Sequence, residues 1–251
     1  MRSAQRSGGH CPSRLPHYPG DIILFALTSR AHVAVFTHTA ESGVMQMRKI
    51  VAGLFMSLDG VVEAPAEWGF KYITDEMTKG MLAGIAQADT VLLGRRTYLD
   101  FAQLWPGQSS AVPMASFLNN SPKVVVSATL DLPLPWGPAT LIRSNHVQAL
   151  TTLKEAPGQN IQIPGSPTLV RSLLDEGLLD ELSLSICPVV VGPGLRLFEG
   201  LLQSVSLKVV HATVLSNGVI GVTYRPARAA DKVPEAPINF PDAAARHRDA
   251  W

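Results

Sequence analysis

Apolar and polar positions follow two alternating patterns along the middle of the chain, and each pattern predicts a different element. Short runs of consecutive apolar residues are typical of strands that are buried on both faces of a sheet. Such runs cover Lys49–Met56, Thr90–Leu93, Lys123–Ser127, Ala139–Ile142, Ile161–Ile163 and Leu182–Val191. Between these runs, apolar residues recur at helical spacing. The predicted helices contain Met77–Ile85, Arg96–Leu104, Val147–Leu153 and Thr168–Glu176. Thr74 is the expected N-cap of the first of them.

The chain repeats strand and helix several times and then ends in two strands. Leu207–Leu215 and Val219–Tyr224 flank Ser216-Asn217-Gly218, and Asn-Gly between two apolar runs is a strong hairpin signal. Repeated β-α units imply a mostly parallel sheet with helices on both faces. We therefore predict an α/β fold over residues 47–226, a three-layer α/β/α sandwich whose mixed sheet finishes in a C-terminal antiparallel hairpin.

The two ends of the chain lack these patterns. Residues 1–46 mix Ser, Gly, Pro and His without a sustained period, and Met47 then opens the first strand. We expect Met47 to be the natural start and residues 1–46 to be a poorly ordered leader. Residues 227–251 are rich in Ala, Pro, Arg and Asp, and we expect them to form a flexible tail.

Composition and charge exclude several classes of function. The formal net charge of +1 gives no concentrated basic surface for nucleic acid. Two cysteines are too few for a disulfide framework or a zinc site, and no stretch is long and apolar enough to span a membrane. The sequence has no G-x-G-x-x-G after its first strand, no phosphate-binding G-x-x-x-x-G-K-[ST] and no G-x-S-x-G. We expect a cytoplasmic protein that binds a small molecule and no metal.

Ligands of a parallel sheet bind beyond the carboxyl ends of its strands, where the start of a helix offers free backbone N–H groups. The turn after Thr90–Leu93 contains Gly94, Arg95, Arg96 and Thr97. The glycine would let a phosphate approach the backbone, and the arginines would supply charge-assisted hydrogen bonds. The same residues also suit a glycine turn followed by a solvated pair of arginines, so residue type alone leaves both readings open.

Two further turns have the same character. The residues concerned are Gly165, Ser166, Thr168 and Leu169 after one strand, and Ser127, Ala128 and Thr129 after another. Pro167 suits the first position of the helix that follows Ser166, so a pyrophosphate could lie at that helix start. A tight turn capped by serine explains the same residues, because caps and turns use Ser and Thr widely.

In these turns the chain resembles the dihydrofolate reductase-like superfamily, and within it the reductase branch of bacterial riboflavin biosynthesis, the RibD C-terminal domain. Ser57-Leu58-Asp59-Gly60 resembles the opening signature of that branch, and Leu93–Tyr98 resembles its Gly-Arg-x-Thr turn. Ser127-Ala128-Thr129-Leu130 resembles its Ser-x-Thr-Leu turn. Gly165–Leu169 and Gly177–Leu182 resemble its Gly-Gly-x-x-Leu and Gly-Leu-x-Asp-Glu-Leu segments. The match runs in order over about residues 48–225.

The resemblance implies a cofactor, a placement for it and a homodimer. NADPH would lie across the three turns, with Arg95, Arg96 and Ser127 favouring its 2′-phosphate. Phe55 and Met56, at the end of the first strand, would border the nicotinamide. For the substrate, Trp68 is expected to line the pocket, and Asp75 lies near the position where dihydrofolate reductases carry a substrate carboxylate.

The implied reaction is hydride transfer to a C=N or C=O carbon of a small, pterin- or pyrimidine-like heterocycle. Asp59 is the first candidate for the proton donor, although Asp59-Gly60 also suits a plain turn. Pro164 stands where riboflavin-pathway reductases carry an acid, which argues against their substrate. Two alternatives are an NADPH-binding dimer without turnover, acting as a sensor or scaffold, and a true dihydrofolate reductase.

Overall fold

The computed structural model describes residues 47–227 and residue 231. The predicted leader, residues 1–46, and the predicted tail apart from Ala227 and Asp231 lie outside the described residues. This part of the chain contains eight strands and six α-helices, and the eight strands and four of the helices follow one another in the order that the sequence pattern predicts. No helix in it is long and apolar enough to cross a membrane.

The strands are β1 (Ile50–Ser57), β2 (Ala88–Gly94), β3 (Lys123–Val126), β4 (Ala139–Ile142), β5 (Asn160–Pro164), β6 (Glu181–Cys187), β7 (Leu207–Val214) and β8 (Ile220–Pro226). The helices are α1 (Pro65–Trp68), α2 (Asp75–Ile85), α3 (Arg95–Leu104), α4 (Ala115–Asn120), α5 (His146–Glu155) and α6 (Pro167–Asp175), with a short 3-10 helix over Phe70–Tyr72.

All eight strands form one sheet in the order β4-β3-β2-β5-β1-β6-β8-β7. The six strands from β4 to β6 are parallel to one another. β8 pairs antiparallel with β6 and with β7, which confirms the mixed sheet and its C-terminal hairpin. Because β5 lies between β1 and β2, two strands that follow each other in the chain are separated in the sheet.

Helices cover both faces of the sheet, and the two larger of the three hydrophobic cores lie one on each face. On the α5–α6 face, Leu150 of α5 and Leu173 of α6 pack in the core that contains Ile50, Ile161 and Leu182. On the α3–α4 face, Tyr98 and Leu118 pack in a second core with Val91, Leu93 and Val125. Right-handed crossovers explain this division, because connections that run in opposite directions along the sheet place their helices on opposite faces.

The local predictions agree with the structure at the strong signals and differ where the elements are short. Thr74 caps α2 as predicted, and its hydroxyl accepts a hydrogen bond from the Met77 N–H at 3.3 Å. The four-residue α1, the 3-10 helix and the six-residue α4 were not predicted. Helices of this length show too little of the 3.6-residue period to be recognised.

The predicted strand Leu182–Val191 is wrong in its second half, because β6 ends at Cys187. Pro188 has no N–H to donate to a neighbouring strand. Beyond it the chain bonds to the loop after β1 instead, where the Val189 carbonyl accepts a hydrogen bond from the Leu58 N–H at 2.8 Å. The apolar residues after Pro188 therefore belong to a loop of the candidate site.

A buried lysine secures the amino end of β3. Lys123 is 1% exposed, and its ammonium group donates to the carbonyls of Asn119, Ser121 and Gly137 at 3.0–3.4 Å. The same group lies 4.3 Å from the centre of the Trp136 ring. Burial lowers the pKa of Lys123 from 10.5 to about 8.

Lys123 is therefore expected to make stability rise with pH. Between pH 8 and 10.5 the unfolded lysine binds its proton and the folded one has largely released it, so folding is favoured as pH increases. The free energy of unfolding of the native chain minus that of Lys123→Met should rise by up to about 1.4 kcal/mol per pH unit in this window. Urea unfolding across the window measures it, and a constant difference would contradict the assignment.

Candidate functional site

The three turns singled out in the sequence end strands that are consecutive in the sheet. β3, β2 and β5 are neighbours in that order, and β1 follows β5. All four strands are parallel, so their carboxyl ends meet at one edge, here termed the carboxyl edge. Because neighbouring strands lie about 4.8 Å apart, the four ends fall within about 15 Å. The sheet thus brings together turns that are far apart in the chain.

The turns after β2 and β5 are joined directly. The Gly94 N–H donates to the Ser166 hydroxyl at 3.0 Å, and Ser166 is buried in the left-handed conformation with φ 56°. Gly165 has φ 113°, and a side chain added there would lie 3.5 Å from the Thr97 methyl group. The N–H of Gly94 is therefore used within the protein, which leaves the adjacent helix starts as the donors for an anion.

Two helices begin side by side at these turns. α3 starts at Arg95 and α6 at Pro167, and neither has a side-chain cap. The first N–H groups of an α-helix have no partner inside it, and the helix dipole makes its start attractive to anions. The first turns therefore offer the N–H groups of Arg96 and Thr97 in α3, and those of Thr168 and Leu169 in α6. This arrangement suits a pyrophosphate.

Three arginines lie near the carboxyl edge and differ in their partners. Arg96 pairs with Glu63 at 3.5 Å, and both side chains are exposed. Arg95 and Arg143 have no hydrogen-bond or ion-pair partner among residues 47–227. Arg143 directly follows β4, next to the turn of Ser127, whose N–H donates to the Ile142 carbonyl at 3.0 Å. Arg143 was not predicted as a site residue, because its relevance depends on β4 lying beside β3.

The turn after β3 is organised by its serine. The Ser127 hydroxyl is buried and accepts hydrogen bonds from the N–H groups of Thr129 and Leu130 at 3.2 and 3.0 Å. Its own hydrogen is still available to a neighbouring acceptor. Ala128 and Thr129 are exposed at the tip of the turn. The structure thus brings this turn beside that of Gly94, as predicted, with Ser127 committed partly to local structure.

Two loops, residues 58–63 and 188–197, form a paired unit at the other end of the carboxyl edge. Backbone hydrogen bonds of 2.8–3.0 Å join Leu58 N to Val189 O, Val62 N to Leu195 O and Leu197 N to Gly60 O. The Arg196 side chain donates to the carbonyls of Asp59 and Gly192. We call this unit the paired loops, and through Glu63 it also reaches Arg96 at the start of α3.

Asp59 lies at the centre of the paired loops. Its carboxylate accepts hydrogen bonds from the Ser57 hydroxyl at 2.7 Å and from the N–H groups of Val191 and Gly192 at 3.0 and 2.8 Å. These donors, the Ser57 hydroxyl first, hold the pKa of Asp59 well below its usual range. A carboxylate held in its ionised form organises a loop well and releases no proton near neutral pH. The predicted role of proton donor stays untested.

The residues predicted to border the nicotinamide and the substrate differ in their burial and in the face of the sheet on which they lie. Phe55 is half-buried on the α3–α4 face, with its ring 5.6 Å from that of Phe70, while Met56 packs into the core of the α5–α6 face. Trp68 is buried, and its indole N–H donates to the Glu63 carbonyl at 2.9 Å. Asp75 is exposed in the first turn of α2.

The α3–α4 face of the central strands is less covered than the opposite face. On the α5–α6 face, the central strands bury their side chains to 0–7% exposure; these residues are Ile50, Ala52 and Leu54 of β1, Ile161 and Ile163 of β5, and Leu182 and Leu184 of β6. On the α3–α4 face, Val51, Gly53 and Phe55 of β1, Pro164 of β5, and Ser183 and Ser185 of β6 are only half-buried. Together with Gln162 of β5, we call these residues the central strip.

Other concave surfaces lie away from the carboxyl edge. One groove of about 330 Å³ lies between the end of α6 and β7, and another of about 460 Å³ lies between the end of α2 and residues 110–117. Within residues 47–227 and 231, no group of three or more His, Cys, Asp or Glu side chains could hold a metal ion. The combination of helix starts, arginines and a half-covered face occurs at the carboxyl edge.

Replacing Ser166 by alanine tests the bond between the two turns. The half-buried Gly94 N–H would lose its acceptor, and the loss of such a hydrogen bond costs about 0.5–1.5 kcal/mol. Ser166→Ala should therefore lower the free energy of unfolding by about that amount in urea titrations. Ser172→Ala, on the outer part of α6, is the matched control. Equal stabilities of the two variants would show that the bond contributes little.

Replacing Asp59 by asparagine tests its role in the paired loops. The amide keeps the shape of the carboxylate and removes its charge, so the hydrogen bonds from Val191 and Gly192 weaken. Hydrogen exchange at pH 7 should become faster in peptides covering 58–63 and 188–197 and stay unchanged in α5. Unchanged exchange in the loops would leave Asp59 without an organising role.

Comparison with known proteins agrees with this architecture. Residues 48–221 match the family model of the RibD C-terminal domain. The Bacillus subtilis protein YyaP, itself uncharacterized, is 29% identical over 187 residues, which covers 72% of this chain and 96% of YyaP.

Solved structures share the fold at lower identity. A structure from Shewanella sp. PV-4 named for riboflavin biosynthesis has a TM-score of 0.60 at 22% identity and covers 72% of this chain and 99% of its own. The Thermotoga maritima deaminase and 5-amino-6-(5-phosphoribosylamino)uracil reductase has a TM-score of 0.52 at 22% identity, covering 72% and 57%. Enterococcus faecalis dihydrofolate reductase in complex with NADP(H) has a TM-score of 0.50 at 15% identity, covering 72% and 97%. With its sheet order, its C-terminal hairpin and the match over residues 48–221, the chain belongs to the RibD C-terminal domain family and has a dihydrofolate reductase-like fold.

Proposed function

We propose that the chain is an NADPH-dependent reductase of a small heterocycle related to pyrimidines or pterins. The observation that carries the proposal is the meeting of two uncapped helix starts, at Arg95 and Pro167, on one edge of the sheet. Membership of the RibD C-terminal domain family supports an oxidoreductase. The reductase of Thermotoga maritima, which acts on a substituted uracil, supports a pyrimidine-type substrate.

The residues at the carboxyl edge fit the phosphates of a dinucleotide. We assign the pyrophosphate to the first turns of α3 and α6, through the N–H groups of Thr97, Thr168 and Leu169. We assign the 2′-phosphate to the turn of Ser127, beside Arg95 and Arg143, which have no other partner among residues 47–227. When bound, NADPH supplies the hydride, and the chain supplies geometry and exclusion of water.

The central strip lies next to the proposed nicotinamide end and suits the substrate. It combines small, apolar and neutral polar groups on the half-covered face of β1, β5 and β6. Phe55 offers an aromatic ring there, beside the carboxyl end of β1. Because Pro164 replaces the acid of riboflavin-pathway reductases, we propose a substrate outside that pathway. The paired loops, held by Asp59, would close this region from water.

One observation favours the alternative of an NADPH-binding dimer without turnover. Asp59 is held ionised by three hydrogen bonds, so the residue first considered as proton donor is a poor one. Under the reductase proposal, the proton reaches the substrate from a bound water. Asp75 is exposed at the start of α2, which does not favour the third reading as a true dihydrofolate reductase.

We also propose that the chain forms a homodimer in the cytoplasm. The edge strand β7 exposes Val209, Val210 and Val214, the last of them 72% exposed. Apolar side chains grouped on a sheet edge are typical of contact surfaces.

Replacing Arg95 by glutamine tests the cofactor and its orientation. A charge-assisted hydrogen bond contributes about 1.5–3 kcal/mol, so Arg95→Gln should weaken NADPH binding roughly 10- to 100-fold and leave NADH binding unchanged. Isothermal titration of both cofactors measures the difference.

Lys79→Gln, on the exposed surface of α2, is the matched control for the loss of one positive charge. The proposal fails if the native chain binds neither cofactor at millimolar concentration. It also fails in its placement of the 2′-phosphate if Arg95→Gln and Lys79→Gln bind NADPH equally well.

A further inference from the structure

One buried polar side chain in the centre of the sheet differs from all the others in lacking a partner. Gln162 of β5 is 9% exposed, and its carboxamide makes no hydrogen bond to any of residues 47–227 or 231. The other buried polar or charged residues of this region all have partners: Arg48, Ser57, Thr90, Lys123, Ser127, Lys154 and Ser166. Among the described residues, the side-chain nitrogens and oxygens that are fully shielded from solvent and lack a partner include Trp105 Nε1 but no atom of Gln162, so the carboxamide still reaches solvent. A polar group that is largely buried, unpaired and still reachable is available to a ligand.

The carboxamide of Gln162 belongs to the central strip. Val51 and Val91 are its register partners on β1 and β2, and Val91 packs in the core of the α3–α4 face. Side chains of directly paired residues point to the same side of a sheet, so Gln162 faces α3 and α4. The side chain does not enter the apolar core of the opposite face, where Ile161 and Ile163 are fully buried.

Gly53 gives this carboxamide an open neighbour. A side chain at position 53 would begin 3.4 Å from the Gln162 amide nitrogen, so the glycine leaves space beside it. The backbone of Gly53 lies in a regular strand and requires no glycine for its own conformation. Glycine inside a strand weakens it and often marks a place where a ligand approaches closely.

The position of Gln162 along β5 places it close to the proposed cofactor site. The strand runs from Gln162 through Pro164 into the turn of Gly165 and Ser166. Two residues of a strand span about 7 Å, so the carboxamide lies roughly that far below the turn proposed to hold the cofactor phosphates. The nearest charged side chain on this face of the neighbouring strands is Glu181, beside Val51, and it is paired with Lys49 at 2.8 Å. The strip itself is neutral, which favours a neutral ring over an anionic group.

We propose that Gln162 recognises the cyclic amide edge of the substrate, a ring N–H next to a ring C=O. A carboxamide has one acceptor oxygen and a donor NH₂, and it pairs with such an edge through two parallel hydrogen bonds. The ring would lie over Gly53, with its amide edge toward β5 and its reducible carbon toward the carboxyl edge. This inference rests on the proposed reductase function and adds the chemical group by which the substrate is selected.

Uracil and 1,3-dimethyluracil are the probes for this role. Both have the same ring and carbonyl groups, but only uracil has ring N–H donors. Each is titrated into the full chain, with and without saturating NADPH, and binding is followed through the backbone amide signals in ¹⁵N–¹H NMR spectra, which all three proteins share. Gln162→Met is the test variant, because methionine has a similar volume and cannot form the pair. Gln148→Met, on exposed α5, is the matched control.

Uracil should bind the native chain and Gln148→Met roughly 10-fold or more tightly than it binds Gln162→Met, because only Gln162→Met loses the two hydrogen bonds to the ring. The preference for uracil over 1,3-dimethyluracil should disappear in Gln162→Met, while NADPH affinity stays the same. Equal uracil binding by the two variants, or no uracil binding by the native chain at 10 mM (roughly the weakest complex such a titration detects), would overturn it.

Failure of the reductase proposal would be seen separately. It would show as absence of NADPH binding in all three proteins, and the uracil titrations without NADPH would still decide the role of Gln162. Unchanged backbone signals in Gln162→Met would show that the variant is folded.

Discussion

The hydrogen bond from the Gly94 N–H to the Ser166 hydroxyl joins two turns that are 72 residues apart in the chain, and the candidate site depends on it. It is possible because β5 enters the sheet between β1 and β2. With that order, α3 and α6 begin next to each other, and their unpaired N–H groups point to the same region. If β5 lay at the edge of the sheet, each helix start would be an isolated and weaker anion site.

The remaining parts of the site are arranged around this hydrogen bond between Gly94 and Ser166. The Asp59 carboxylate links the loop after β1 to the loop after β6, and Glu63 connects the first of them to Arg96. A phosphate at the start of α3 would compete with Glu63 for Arg96, so the proposed cofactor binding would be coupled to the position of the paired loops. The central strip, below these loops, gives a neutral surface on which a heterocycle would meet the nicotinamide.

Local sequence signals were sufficient for the longer elements and for the position of the three turns along the chain. Apolar runs, the Thr74 cap and Asn217-Gly218 are each decided by neighbouring residues, and the structure agrees with them. The order of the strands is decided by long-range packing, which local patterns do not reveal. The hydrogen bonds of Asp59 to Val191 and Gly192, 132 and 133 residues away, could therefore not be derived from the sequence. The same holds for the relevance of Arg143. Gln162 is recognisable in the sequence as a polar residue flanked by Ile161 and Ile163 within an apolar strand. Its lack of a partner is visible only in the structure.

A crystal structure of the full chain with NADPH would test the central claim most directly. The account predicts the pyrophosphate at the N–H groups of Thr97, Thr168 and Leu169, and the 2′-phosphate beside Ser127 with Arg95 or Arg143. The nicotinamide should reach Phe55 at the end of β1. A cofactor bound elsewhere, such as in the groove between α2 and residues 110–117, or no cofactor at saturating concentration, would contradict it.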